Sequence, residues 1–344
     1  MNRKVIDEIV WWIPFKKLRN NIRIYLNNKL DDDPMEAYDI EWVKKFIKSL
    51  KEDKNFIKKY KILMKNLDKD SIETISNIII KVFKIINNID SYKSIINGEE
   101  LKSVVKMYNE YLSKIIKIND ECYLYEDYVL PVNKFEKCIF YSKLSIEYIN
   151  NLHNIKNRDI IDAGAFIGDS GIMLSKYTNK NVYCFEPFKN TYDIMLKTIE
   201  LNNIKNIVPV NLALGNENSK ITSFYDPQNA VNGCNSLINN NNDVYTNEEI
   251  INMITLDEFV YKNNLEVGLI KTDLEGFEQE FLKGAINTIK KHKPVLLISI
   301  YHNYFDFFDI KPMIEDLNLG YKFKIVKPID NTIILETTLI AEIY

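Results

Sequence analysis

The chain has 344 residues, 46% of them hydrophobic, which is enough to bury a large core and, as a prior, enough for two domains. Forty-five basic against 48 acidic residues leave a formal charge of -3, so no overall field draws nucleic acid or an anionic bilayer, and a nucleic-acid partner is not the default. Cys122, Cys138, Cys184 and Cys234 form no CxxC pair, charges at Arg3, Lys4, Asp7 and Glu8 interrupt any leader, and no run approaches the roughly 20 apolar residues that cross a bilayer; reduced thiols in a cytoplasmic protein are expected.

The chain opens on Val10–Arg19, where Trp11, Trp12 and Phe15 stand with three cations around a proline. Two readings stay open: peripheral docking on a membrane surface or a biosynthetic enzyme, and a helix packing its aromatics on the domain. Apolar residues then recur at three and four over Ile40, Val43, Phe46, Ile47 and Leu50, and over Ile72, Ile75, Ile79, Val82, Phe83 and Ile86, which predicts helices. Asp70 with Glu73 reads as the capping box of the second. Residues 1–120 are therefore expected to be an all-helical cap, homo-oligomer contact or docking element.

Nine of the ten glycines fall at or after Gly164, and from about Tyr123 short apolar runs alternate with helical stretches. Residues 121–344 thus read as an α/β domain with a mostly parallel, Rossmann-like sheet covered by helices on both faces. Seven strands are predicted: 160–161, 182–185, 207–211, 269–272, 295–300, 321–325 and 338–341. Helices are expected after the first five, most clearly over 191–202 and 277–289. In such sheets ligands sit beyond the carboxyl ends of the strands, so those ends carry the chemical interest.

The first strand runs into Asp162-Ala-Gly-Ala-Phe-Ile-Gly-Asp-Ser170. Gly164 and Gly168 can take positive φ, and a side chain there is expected to occupy ligand space. The Gly-x-x-x-Gly spacing is not the Gly-x-Gly-x-x-Gly that cradles a pyrophosphate, which argues against a nicotinamide-dependent oxidoreductase. The second strand ends in Phe185-Glu-Pro187, and Glu186, 24 positions after Asp162, is placed to accept both hydroxyl hydrogens of a ribose. The alternative is a surface acid at a strand end.

These residues resemble the FkbM methyltransferase family, and the match is collinear over about residues 123–344. Ile161–Ser170 is similar to its first motif, Phe185–Pro187 to its second and Asn211–Gly215 to its third. Thr255–Asp257 and Ile270–Glu278 resemble its most specific block, followed by Lys283–Ala285, His292–Pro294 and Ser299–His302. The resemblance implies a class I methyltransferase fold, S-adenosylmethionine as donor, and O-methylation of a carbohydrate or natural product, here a sugar of a bacterial surface polysaccharide or its precursor. A non-catalytic donor-binding scaffold is the rival reading. On the matched motifs the donor site comprises Asp162, Gly164, Ala165, Phe166, Gly168, Asp169, Ser170, Glu186, Pro187, Asn211, Leu212 and Asp273. Asp162 either holds the amino group of the methionine moiety or caps the loop amides that follow. Lys324–Pro328 and the Asn-rich stretch 229–242 depart from the family pattern.

Methyl transfer to an alcohol requires alignment and removal of the hydroxyl proton, hence a base or a metal. Asp273 and His302 are the catalytic candidates: either His302 is the base and Asp273 orients it, or Asp273, His302 and Asn303 hold Mg²⁺. Glu275 and Glu278 read as acids complementing a helix dipole, Gly276 as a packing residue, His153 and His292 as solvated, and Cys184 as a small hydrophobe.

Overall fold

The computed structural model describes residues 11, 34–87, 98–225, 247–328, 330 and 332–344. Trp12, Phe15, Cys234 and the stretch 229–242 lie outside them. The N-terminal half supplies α1 (Pro34–Glu52), α2 (Phe56–Met64), α3 (Lys69–Ile86) and α4 (Gly98–Glu110). Helix α3 buries Ile75, Ile78, Ile79 and Val82, the three-and-four spacing read from the sequence. Its cap is Asp68 rather than Asp70: Asp68 is extended and accepts the Ser71 amide at 2.8 Å, while Asp70 already lies in the first turn.

Chain order continues with a small antiparallel sheet, β1 (Ile116–Asn119), β2 (Cys122–Tyr125) and β3 (Tyr128–Leu130), then α5 (Lys137–Phe140). The change in composition at 120/121 falls in the β1–β2 turn. All four residues of β1 are exposed; Ile116-Lys-Ile-Asn119 does alternate apolar and polar residues, but over a run too short, directly after a helical pattern, to stand out as a strand.

The main sheet holds β4 (Asp159–Ala163), β5 (Val182–Phe185), β6 (Ile207–Val210), β10 (Val267–Thr272), β11 (Val295–Ser299), β12 (Lys322–Val326) and β13 (Thr338–Glu342), in the order β12-β13-β11-β10-β4-β5-β6. Only β13 runs against the others. This is the Rossmann-like class I methyltransferase sheet, with all seven expected strands present. Strands β4, β10 and β11 are buried at every position, as parallel strands covered on both faces must be. Chain order runs outward from β4 through β5 to β6, and in the opposite direction from β10 to β11. The switch point, where open sheets of this kind bind ligands, lies between β4 and β10.

The covering helices are α6 (Asp169–Leu174), α7 (Lys189–Leu201), α8 (Leu256–Lys262), α9 (Glu278–Lys283), α10 (Ile286–His292) and α11 (Tyr304–Glu315). Two expectations need correction. The third predicted strand, β6, is followed not by a helix but by a second small sheet of β7 (Ala213–Leu214), β8 (Ser219–Tyr225) and β9 (Asn247–Ile254). The single helix expected over 277–289 is two, parted at Gly284, where a Cβ would lie 1.9 Å from the Gly215 carbonyl oxygen; the two backbones pass too closely for a side chain.

The helical half shares one core with the sheet: Val43, Phe46, Leu63 and Ile75 pack in the same cluster as Phe307, Phe308, Phe323 and Ile334. Buried polar contacts fix the docking. The Asp39 carboxylate accepts the amides of Ile333, Ile334 and Leu335 at 2.6, 3.0 and 3.1 Å, and Ser71 Oγ accepts that of Ile325 at 2.9 Å.

Candidate active site

On the donor side, β4 carries Asp162 to the rim and the chain turns through Gly164 (φ 76°), Phe166 (φ 47°) and Gly168 (φ 85°) into α6. The amides of Gly164 and Ala165 donate to the Phe185 carbonyl at 3.1 and 2.9 Å, pinning the loop to β5. A Cβ on Gly164 would stand 1.9 Å from the Asp273 carbonyl oxygen and one on Gly168 2.9 Å from Met195 Cγ. These glycines therefore serve backbone geometry and close packing on β10 and α7.

Asp162 is fully buried. Its Oδ2 accepts Ser170 Oγ at 2.6 Å, and its Oδ1 lies 3.1 Å from Lys271 Nζ, which also donates to the Gly164 carbonyl at 2.7 Å. Burial alone would drive the Lys271 ammonium down, but the charges of Asp162 and Asp273 overcome it and hold it above its usual range. Lys271 went unremarked in the sequence although its signal was present: a lysine inside the apolar run of a fully buried strand needs a partner. Asp169, 1% exposed, takes the Ser170 amide on Oδ1 at 2.9 Å and leaves Oδ2 without a hydrogen bond.

At the end of β5, Glu186 is buried and accepts the Phe188 amide at 2.9 Å. Burial pushes its carboxyl up to about 8, against the pull of the Phe188 and Phe166 amides and of Lys271. Asn211 Nδ2 donates to the carbonyls of Glu186 and Pro187, both at 2.9 Å, and so holds the corner; Leu212 packs against the core beside it.

On the acceptor side, His302 is completely buried between carboxylates, with Nδ1 2.8 Å from Glu278 and Nε2 3.2 Å from Asp273. Burial disfavours the imidazolium, yet Glu278, Asp273 and Glu275 together hold it well above the ordinary histidine range. Asp273, also bonded by the Tyr301 hydroxyl at 3.0 Å, is lowered to about 2: burial opposes its charge, and His302, Lys271 and Tyr301 outweigh burial. Glu278 is thus more than a helix-dipole residue; it also accepts the Leu274 amide at 2.8 Å. Trp42 of α1 sets its ring edge against His302, 5.8 Å between centroids, so the helical half reaches the site.

Asn303 departs from its expected place among metal ligands. Its Oδ1 caps α11 by accepting the Asp306 amide at 2.9 Å. The ligand atoms that do converge, within 4.8 Å of one another, belong to Asp273, Glu278 and His302. With an imidazole among the three ligand groups, the set suits a transition metal better than Mg²⁺, which favours oxygen ligands and water.

Beside Asp273 lies a narrow cavity of about 30 Å³, room for about one water, walled by Lys271, Thr272, Ser299, Cys138 and Glu336. Glu336 holds a strained φ of 65° and its carboxyl is pushed up to about 8, by burial first and then by Asp273 and Glu136. Glu136, 3.7 Å from Cys138 Sγ, is raised by burial and Asp273. Neither acid carries a motif that would have drawn attention in the sequence.

Residues 162–323 match the family model described as Methyltransferase FkbM domain. "Methyltransferase 1" of Beauveria bassiana (strain ARSEF 2860) is 27% identical over 142 residues, which are 36% of this chain and 57% of that protein; the match spans little more than half of the relative's length. Methyltransferase FkbM from Methylobacillus flagellatus KT superimposes with a TM-score of 0.52 at 17% identity, over 83% of this chain and 58% of that one, a likeness of fold. The glycine loop, the second-strand acid and the Asp273-Leu-Glu-Gly276 block, gathered on one rim of the sheet, all lie within residues 162–323, the stretch that matches the FkbM methyltransferase domain.

Proposed function

We propose that this protein transfers the methyl group of S-adenosylmethionine to a hydroxyl oxygen, and that the acceptor is a sugar of a bacterial surface polysaccharide or its precursor. The observation that carries the reading is Glu186: a buried carboxyl at the end of β5, beside the switch point, fed by two backbone amides and tuned so that hydroxyl donors would complete its shell. The donor supplies an activated methyl group. The chain's own part is to hold the donor between the 164–168 loop and Glu186 and to align the acceptor oxygen over Asp273. Glu278 and Asp273 flank the two His302 nitrogens and favour its imidazolium, which suits it to position Asp273 rather than to take the acceptor's proton. The helical half covers the acceptor side through Trp42, and Trp11, 69% exposed, suits peripheral docking. No helix among the described residues is long and apolar enough to cross a membrane.

Calorimetry tests the donor. The wild type is expected to bind S-adenosylmethionine with low-micromolar to sub-millimolar affinity, and Glu186→Ala to weaken this roughly 100-fold, the loss of hydrogen bonds to a charged group. No heat from the wild type would sink the reading. Incubation with labelled donor and fractionated cell glycans then identifies the acceptor.

A further inference from the structure

A second cleft lies on the same rim of the sheet, between the helical half and the loop that joins β12 to β13. It encloses about 380 Å³, within the roughly 300–1,000 Å³ of small-ligand clefts. Its floor is apolar, since Ile78 of α3, Val104 of α4 and Ile333 are all buried. Its α3 wall is polar. Asp70, Glu73 and Asn77 stand on one face of that helix, at the three-and-four spacing that brings side chains into line, and all three are exposed. Asp70 and Glu73, the expected capping box, cap nothing, because Asp68 takes that part. Neither carboxylate, nor the Asn77 amide, makes a side-chain hydrogen bond or ion pair among the described residues. The cations of the lining are engaged by the fold instead. Lys81 pairs with Glu100 at 2.5 Å, tying α3 to α4, and Lys327 donates to Asp330 at 2.6 Å and to Thr332 Oγ1 at 2.9 Å. Asp70, Glu73, Glu100 and Asp330 against Lys81 and Lys327 leave the cleft two negative charges in surplus. Pro328 walls both this cleft and the narrow cavity beside Asp273, so the two are neighbours.

We infer that this cleft seats the acceptor, and that the acceptor is an uncharged or amine-bearing oligosaccharide rather than a nucleotide-linked sugar. The inference rests on the reading of the protein as a sugar O-methyltransferase. Two carboxylates and a primary amide, aligned and unengaged, match a row of sugar hydroxyls: the carboxylates only accept, and the amide both accepts and donates. The apolar floor takes the C–H faces of the rings. A nucleotide's diphosphate would meet surplus negative charge and lysines already paired. The sugar to be methylated then lies at Asp273, and its neighbours in the glycan run past Pro328 and along α3.

The test incubates the full chain with labelled S-adenosylmethionine and two acceptor pools: neutral oligosaccharides released by mild acid from the surface polysaccharide of the source cells, and the nucleotide sugars of the same cells. Label is expected in the first pool only. The variant Asp70→Ala, Glu73→Ala, Asn77→Ala should raise KM for the oligosaccharides about ten-fold or more, the loss of two or three hydrogen bonds, while kcat stays within about two-fold. Its melting temperature and its calorimetric affinity for S-adenosylmethionine should match the wild type, since these exposed side chains touch neither the core nor the donor loop. An unchanged KM in the variant, or label in the nucleotide sugars, or label in neither pool, overturns the assignment while binding of S-adenosylmethionine keeps the donor reading intact. No binding of S-adenosylmethionine by the wild type overturns both.

Discussion

On the β4–β5 side of the crevice, nearly every polar group comes from one stretch of chain, Asp162 to Asn211, and its members hold one another: Ser170 on Asp162, the amides of 164 and 165 on Phe185, Asn211 on the Glu186 corner. On the β10–β11 side the groups arrive from five places: Trp42 on α1, Glu136 before α5, the 273–278 turn, Tyr301 and His302 after β11, and Glu336 before β13. The first side is a local motif that the fold presents. The second exists only once the whole chain has assembled. Lys271 belongs by sequence to the second and by contact to the first, which makes it the joint between them.

The largest effect expected is therefore at that joint. Lys271→Met would leave the fully buried Asp162 without its cation and the Gly164 carbonyl without its donor, a loss of about 3–5 kcal/mol. Urea unfolding measures it, and wild-type stability in the variant would break the picture of a charged strut between the two sides. Next comes His302→Gln, which removes the cation between Asp273 and Glu278 and should cost about 3 kcal/mol. The ring itself can be watched, since the chain has only three histidines. His302, raised by its carboxylates, should keep its proton well past pH 7, while His292, lowered by burial and by Lys291 and Arg158, should lose its own below the usual range. The stabilisation His302 gives is complete below the ordinary histidine value and disappears as pH rises through its raised one. An imidazole of 302 titrating near 6.5 would return it to candidacy as a base.

The same contrast explains what could be read in advance. The central strands β4, β10 and β11 were legible because buried parallel strands are near-continuous apolar runs, and the donor acids because they sit at fixed offsets from a glycine loop. Position within a motif does not report what a side chain touches. Asp162 looked like a ligand or a loop cap and is paired to a lysine more than a hundred residues on, while Asn303 looked like a metal ligand and is a helix cap. Glu136 and Glu336 could not be found at all, since they meet Asp273 only through tertiary packing. Strand β1 escaped because Ile116-Lys-Ile-Asn119 alternates over only four residues, too short a run to be told from the end of the helical pattern before it.

The smallest effect is the most discriminating, because each side holds a deeply buried acid pushed up to about 8, apart from Glu336 at the narrow cavity. On the donor side this is Glu186, raised by burial. On the acceptor side it is Asp306, raised by burial and then by Glu278, against Gln279 and His302. Between their ordinary values near 4 and the raised ones, the folded state binds more protons than the unfolded chain, so stability must fall as pH climbs through that window. Melting temperature should drop by a few degrees from pH 5 to pH 8, and Glu186→Gln and Asp306→Asn should each flatten part of the slope. Saturating donor separates the two. Ribose hydroxyls would hold Glu186 as the anion and erase its share of the slope, whereas Asp306, tucked behind His302 in the α11 cap, should keep its share whether the donor is bound or not. A donor that flattened neither contribution, or both, would show that the two sides are not the independent structures their contacts describe.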